Sequence, residues 1–102
     1  MRAVHHVAPE EMRLPNVLHA LGDPVRLEIV RALAAVGEQP CKGIEVSVAK
    51  STLSHHLKVL RDAGLTRTRV EGSRRLVSLR AEEVDRRFPG LLESVLRGST
   101  AA

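Results

Sequence analysis

The stretch Ser51-Thr52-Leu53-Ser54-His55-His56-Leu57-Lys58-Val59-Leu60-Arg61-Asp62-Ala63-Gly64 decides how this chain reads. Leu53, Leu57 and Leu60 recur at helical spacing and draw one apolar stripe, with Ser51 expected as the N-cap and Gly64 as the stop. The opposite face offers Thr52, His55 and Lys58, with Ser51 and Ser54 beside them, Lys50 just ahead, and no carboxylate before Asp62. A helix that merely faces water usually mixes Glu with Lys. Short hydroxyls and an imidazole near the positive end of a helix dipole suit close approach to phosphates and base edges.

Downstream, Leu65 to Val70 and Arg75 to Leu79 are short runs containing Thr, Val and Leu around the turn-forming Glu71-Gly72-Ser73-Arg74, which predicts a β-hairpin. Between Thr66 and Arg80, Arg67, Arg69, Arg74, Arg75 and Arg80 stand against Glu71 alone, so this stretch carries +4, as much as the whole chain. Arginine on a two-stranded projection suits backbone contact or entry into a narrow minor groove. Charge that protects an exposed strand edge is the alternative.

Upstream, Glu10 to Leu21 reads as a first helix with a bend at Pro15, and Asp23-Pro24 starts a second that runs to Val36 and stops at Gly37. From 38 to 50, Pro40, Gly43 and the β-branched Val46 and Val48 leave room for at most a turn or two of helix. Ala81 onward returns to helix, interrupted at Phe88-Pro89-Gly90. The domain is expected over 10–97, with a flexible N-terminal tail at 1–9 and a polar C-terminal tail at 98–102. In 102 residues, 43% are hydrophobic and 27% charged, with one Phe and no Tyr or Trp, so the core must be aliphatic. Apolar stripes at Leu14, Val17, Leu18 and Leu21, and at Leu91, Leu92, Val95 and Leu96, exceed what so short a chain is expected to cover, which predicts a homodimer through its first and last helices.

Helix, helix, short helix, turn, helix, hairpin, helix is the order of a winged helix-turn-helix, mainly α with one β-hairpin wing. The chain also resembles the ArsR/SmtB family of winged helix-turn-helix repressors. The resemblance rests on Ala20-Leu21-Gly22-Asp23-Pro24-Val25-Arg26-Leu27-Glu28-Ile29-Val30, on Ser51 through Leu65, and on Val70-Glu71-Gly72-Ser73-Arg74-Arg75. It implies a homodimer that represses from a pseudo-palindromic double-stranded operator and is released by an effector. It also implies that Ser51, Thr52, Ser54 and His55 face DNA while His56 lies nearer the core. Adding the basic residues gives a DNA-binding set of Lys50, Ser51, Thr52, Ser54, His55, Lys58, Arg69, Arg74 and Arg75.

Two metal-ligand patterns of that family are not intact. A Cys-x-Cys site is reduced to Cys41 alone, and no His follows Asp85-Arg86-Arg87 on the last helices. No metal or cofactor is therefore assigned, and the effector is unnamed. A single cysteine excludes an intramolecular disulfide framework and suits a reducing cytoplasm, and no segment reads as a signal peptide or membrane span. Cys41 is either a small buried hydrophobe or a redox or thiol-reactive sensor beside Lys42. His5, His6 and His19 with Cys41, from either protomer, could form a soft metal site. Glycine-rich phosphate loops, G-x-S-x-G and His-Glu-x-x-His are absent, which argues against an enzyme. A winged-helix module that docks proteins is the other non-enzyme reading, and the arginine-rich wing weighs against it.

Overall fold

The computed structural model describes residues 4–46 and 48–101, so residues 1–3 and 102 of the two expected tails lie outside it. A helix begun at Glu10 would carry Pro15 in its interior, where the missing N–H and the ring clash cost about 3 kcal/mol. The chain avoids this by making one 3-10 turn at Pro9–Glu11, extending through Met12, and starting helix α1 (Leu14–Leu21) with Pro15 in its first turn. Pro15 therefore opens the helix instead of bending it. Asp23 caps α2 (Pro24–Val36) as expected, its Oδ2 accepting from the backbone N–H of Val25 at 2.9 Å and of Arg26 at 3.0 Å.

The weak segment after α2 holds a two-residue strand, β1 (Gln39–Pro40), and a single 3-10 turn at Cys41–Gly43. Helix α3 (Lys50–Ala63) follows, with Ala49 at its N-cap and no side-chain cap, so Ser51 lies inside the first turn and is not the cap. It stops at Gly64, where φ is +98° and an added Cβ would stand 2.7 Å from Met12 Cγ. Glycine is needed there both for the left-handed backbone and for the buried methionine packed on it.

Strands β2 (Thr66–Glu71) and β3 (Arg74–Leu79) pair antiparallel from Thr66↔Leu79 to Glu71↔Arg74, leaving Gly72-Ser73 as the turn. β1 pairs with the other edge of β3, so the expected hairpin is part of a three-stranded sheet in the order β1-β3-β2. Helices α4 (Ala81–Arg87) and α5 (Leu91–Ala101) close the chain, and the expected tail from Gly98 is helical through Ala101.

The core is aliphatic, built around Val17, Ile29, Val30, Leu33, Leu60, Leu65, Val77 and Val84. Three residues assigned to the dimer interface are also in it: Val17, Leu21 and Leu92 are buried within one chain. A helix as short as α1 packs one face on α2 and α3, and that face takes Val17 and Leu21. Leu14 and Leu18 stay exposed at 42% and 48%, while Leu91, Val95 and Leu96 are half-buried against the core. Among the described residues, no helix is long and apolar enough to cross a membrane.

The expected free N-terminal tail is not free over its described part. Val7 packs on the core, and His6 Nε2 accepts from the backbone N–H of Thr68 at 2.9 Å, covering a donor on the outer edge of β2. An accepting Nε2 requires a neutral ring with its proton on Nδ1. Burial, then the cations of Arg67, Arg80 and Arg61, and last His5, pull the His6 pKa below its usual value of 6.5. The unfolded chain therefore binds this proton more readily than the folded one, and stability should fall as pH drops through about 6.5 toward the lowered value. His6→Gln can still accept from Thr68 but cannot titrate. Thermal unfolding between pH 8 and pH 5 should show less acid destabilisation in His6→Gln than in wild type, and equal losses would remove His6 as the cause.

Candidate nucleic-acid interface

A helix turns about 100° per residue, so burying His56, Leu57, Leu60 and Ala63 of α3 turns Ser51, Thr52, Ser54, His55 and Lys58 outward. All five, with Lys50, are exposed. This setting of the helix is held by a residue that the sequence reading missed. Arg26 is only 8% exposed, and its Nε donates to the Ala20 carbonyl at 2.8 Å and its Nη2 to the His19 carbonyl at 3.3 Å. Its Nη1 meets His56 Nδ1 at 3.1 Å. A guanidinium only donates, so Nδ1 accepts and the neutral imidazole carries its proton on Nε2. Asp23 Oδ2 lies 3.8 Å from the same Nδ1 and sits beside the guanidinium as the local anion. The available signal was Asp23 and Arg26 at a capped helix start together with two adjacent histidines, of which only one can face out.

Lys58 is exposed but holds Asp62 in an i, i+4 pair. Such an exposed pair is worth about half a kcal/mol or less, so a phosphate can displace it.

In the wing, three of the five arginines are already neutralised. Arg80 is buried and grips Glu83 at 2.8 and 3.1 Å, and Arg67 reaches the same carboxylate at 2.7 Å. Arg80 foremost and Arg67 next hold the Glu83 carboxyl down to about 2. Arg69 lies between Glu38 at 2.8 Å and Glu71 at 2.7 Å, and its hydrogen bonds hold both carboxyls below their usual range. Arg69 differs from Arg74 and Arg75 in already holding two carboxylates, those of Glu38, just beyond the end of α2, and of Glu71, exposed pairs that a phosphate would have to displace. Arg74 and Arg75 are exposed, and no carboxylate forms an ion pair with either among the described residues.

Cys41 sits half-buried in its 3-10 turn against the core. Burial pushes the thiol pKa up, with Arg75 pulling weakly the other way, so the environment disfavours the thiolate a reactive sensor needs. His6 is committed to Thr68, His19 lies on α1, and Cys41 lies beside the wing. Among the described residues, no three His, Cys, Asp or Glu groups gather as a metal site.

Residues 21–69 match a helix-turn-helix domain family, a span that ends inside β2. The chain is similar to an uncharacterised HTH-type transcriptional regulator, YceK, of Bacillus subtilis (strain 168), with 39% identity over 78% of this chain and 83% of that protein. It is also similar to the arsenical resistance operon repressor of Staphylococcus xylosus, with 37% identity over 71% of this chain and 70% of the relative. Its structure resembles the transcriptional repressor BigR from Xylella fastidiosa, with a TM-score of 0.67 and 28% identity over 86% of this chain and 84% of the other. An outward-turned α3, a wing ending in two exposed arginines and these relatives agree, and the chain belongs to the ArsR family of winged-helix, DNA-binding transcriptional regulators rather than to a family of enzymes.

Proposed function

We propose that this regulator is a repressor that acts as a homodimer on a pseudo-palindromic operator. Two copies of α3 enter successive major grooves about one helical turn apart, and an effector releases the DNA by changing their spacing. The observation that carries this reading is the division of α3 into a buried face locked by Arg26 and His56 and an exposed face of hydroxyls, imidazole and lysine, with no carboxylate before Asp62. Ser51, Thr52, Ser54 and His55 meet base edges or phosphates, with Lys50 and Lys58 at the backbone. Arg74 and Arg75 hold flanking phosphates. Repression is supported by the similarity to an arsenical resistance operon repressor. Ligation of an arsenical by paired thiolates is not open to a single chain with one cysteine, so the effector is of another kind or is bound between chains.

An operator selected in vitro from random duplexes tests the helix assignment. Ser54→Ala and His55→Ala should each weaken its binding by about 1–3 kcal/mol, as loss of a base-edge contact requires, with unchanged thermal stability. Wild-type affinity in both variants would take α3 out of the groove.

The wing should act through charge alone. Arg75→Ala should weaken selected and random duplexes by similar factors and flatten log K against log salt by about 0.9, or roughly twice that when two wings bind. An equal change of slope in Arg69→Ala would return Arg69 to the phosphate-facing set despite Glu38 and Glu71.

Dimerisation rests on Leu14 and Leu18, the exposed part of the α1 stripe, with the half-buried Leu91, Val95 and Leu96 of α5. Sedimentation at micromolar concentration should give twice 11.2 kDa, and Leu14→Glu with Leu18→Glu should give a folded monomer. A wild-type monomer under those conditions would remove the two-groove arrangement.

A further inference from the structure

A cleft of about 270 Å³ lies between the 3-10 turn and the end of the wing, lined by Pro40, Cys41, Lys42, Ser73, Arg74 and Arg75. Strand register builds it. Gln39 and Pro40 pair with Val77 and Leu76, so β1 delivers Cys41 and Lys42 alongside the first residues of β3, and the charge of Arg75 is felt at the Cys41 sulfur. The lining holds three cations, a hydroxyl and no carboxylate. Glu71 stands across the strand pair from Arg74 but gives its carboxylate to Arg69 at 2.7 Å. Among the described residues, no ion pair neutralises Lys42, Arg74 or Arg75, in contrast to Arg67, Arg69 and Arg80. Like charges gathered around one small cleft repel each other, and an anion seated among them offsets that repulsion.

We propose that this cleft is a phosphate seat that takes one phosphate of the duplex backbone and makes Lys42 a DNA contact separate from the recognition helix. The proposal rests on the DNA-binding reading above. A free phosphate has the same chemistry, and the experiment separates the two sources.

Cys41 is the only cysteine in the chain, so iodoacetate and iodoacetamide attach adducts of nearly equal size to one wall of the cleft, differing by one negative charge. The carboxymethylated protein should bind duplex DNA roughly tenfold or more weakly than the carbamidomethylated one, the scale of a lost charge-assisted hydrogen bond. Lys42→Gln should flatten the salt dependence on selected and random duplexes alike, and Lys42→Gln combined with Arg75→Ala should flatten it by no more than about 0.9 per seat, because both face one phosphate. Equal affinities of the two adducts, or an unchanged slope in a Lys42→Gln protein that still binds DNA, would overturn the backbone assignment. Failure of the wild type to bind any duplex at low salt would instead sink the DNA reading. The DNA-free protein, titrated with pyrophosphate, then decides the seat. Saturable amide shifts at residues 41–43 and 73–75 that vanish in Lys42→Gln would assign it to a free phosphate, and their absence would reject it.

Discussion

Arg26 is the residue on which the orientation of the recognition helix depends. A buried guanidinium is costly in a medium of low dielectric unless its donors are matched, and here the matches come from two other helices. Two N–H groups meet carbonyls of the last turn of α1, which have no partner inside their own helix and lie at the negative end of its dipole. A third meets His56 on α3, and the backbone N–H of Arg26 is held by the Asp23 cap. Bonds to a charged donor contribute about 1.5–3 kcal/mol each, and removing the cation would leave the His56 nitrogen and the Ala20 carbonyl unmatched in the interior, while the His19 carbonyl would keep the backbone N–H of Gly22 at 3.2 Å. Three helices are thereby tied at one point. Because α3 cannot rotate without burying His55 or exposing His56, the surface offered to DNA follows from a contact on its opposite side.

The electrostatics of the wing show how little can be inferred from counting charges along a strand. Arg67 and Arg80 converge on Glu83 of α4, and Arg69 is shared by Glu38 and Glu71. The Glu83 contacts fasten the sheet to α4, and together these pairs offset three positive charges that an external anion could reach only by displacing a carboxylate. Arg74 and Arg75 remain, at the end where the strands turn, and among the described residues no carboxylate forms an ion pair with either. A basic projection is thus resolved into a neutral stem and a cationic tip.

The covering of the sheet edges has a similar logic. β1 occupies one side of β3, and His6 satisfies the Thr68 N–H on the outer side of β2. A bare strand edge invites pairing with other chains, and both devices limit that risk while leaving the tip clear. The side-chain acceptor at Thr68 also makes the packing of the N-terminal segment depend on the protonation of one ring.

The sequence by itself determined the number and order of the main helices, the hairpin and the two faces of α3, because those properties follow from local periodicity, from the Asp23 cap and from the breakers Gly37, Gly64 and Pro89. It also placed the exposed residues from Lys50 to Lys58, since burying Leu57 and Leu60 leaves them no other side. It did not reveal β1, two residues too short to show any period, nor the delayed start of α1, where Pro15 outweighed the apolar pattern. Only the tertiary structure decided which arginines are free and which stripe residues stay uncovered. Glu38 reaches Arg69 from 31 residues away, and Val17 and Leu21 vanish beneath α2 and α3. Charge pairing and burial are properties of neighbours in space, and a chain lists its neighbours only along its length.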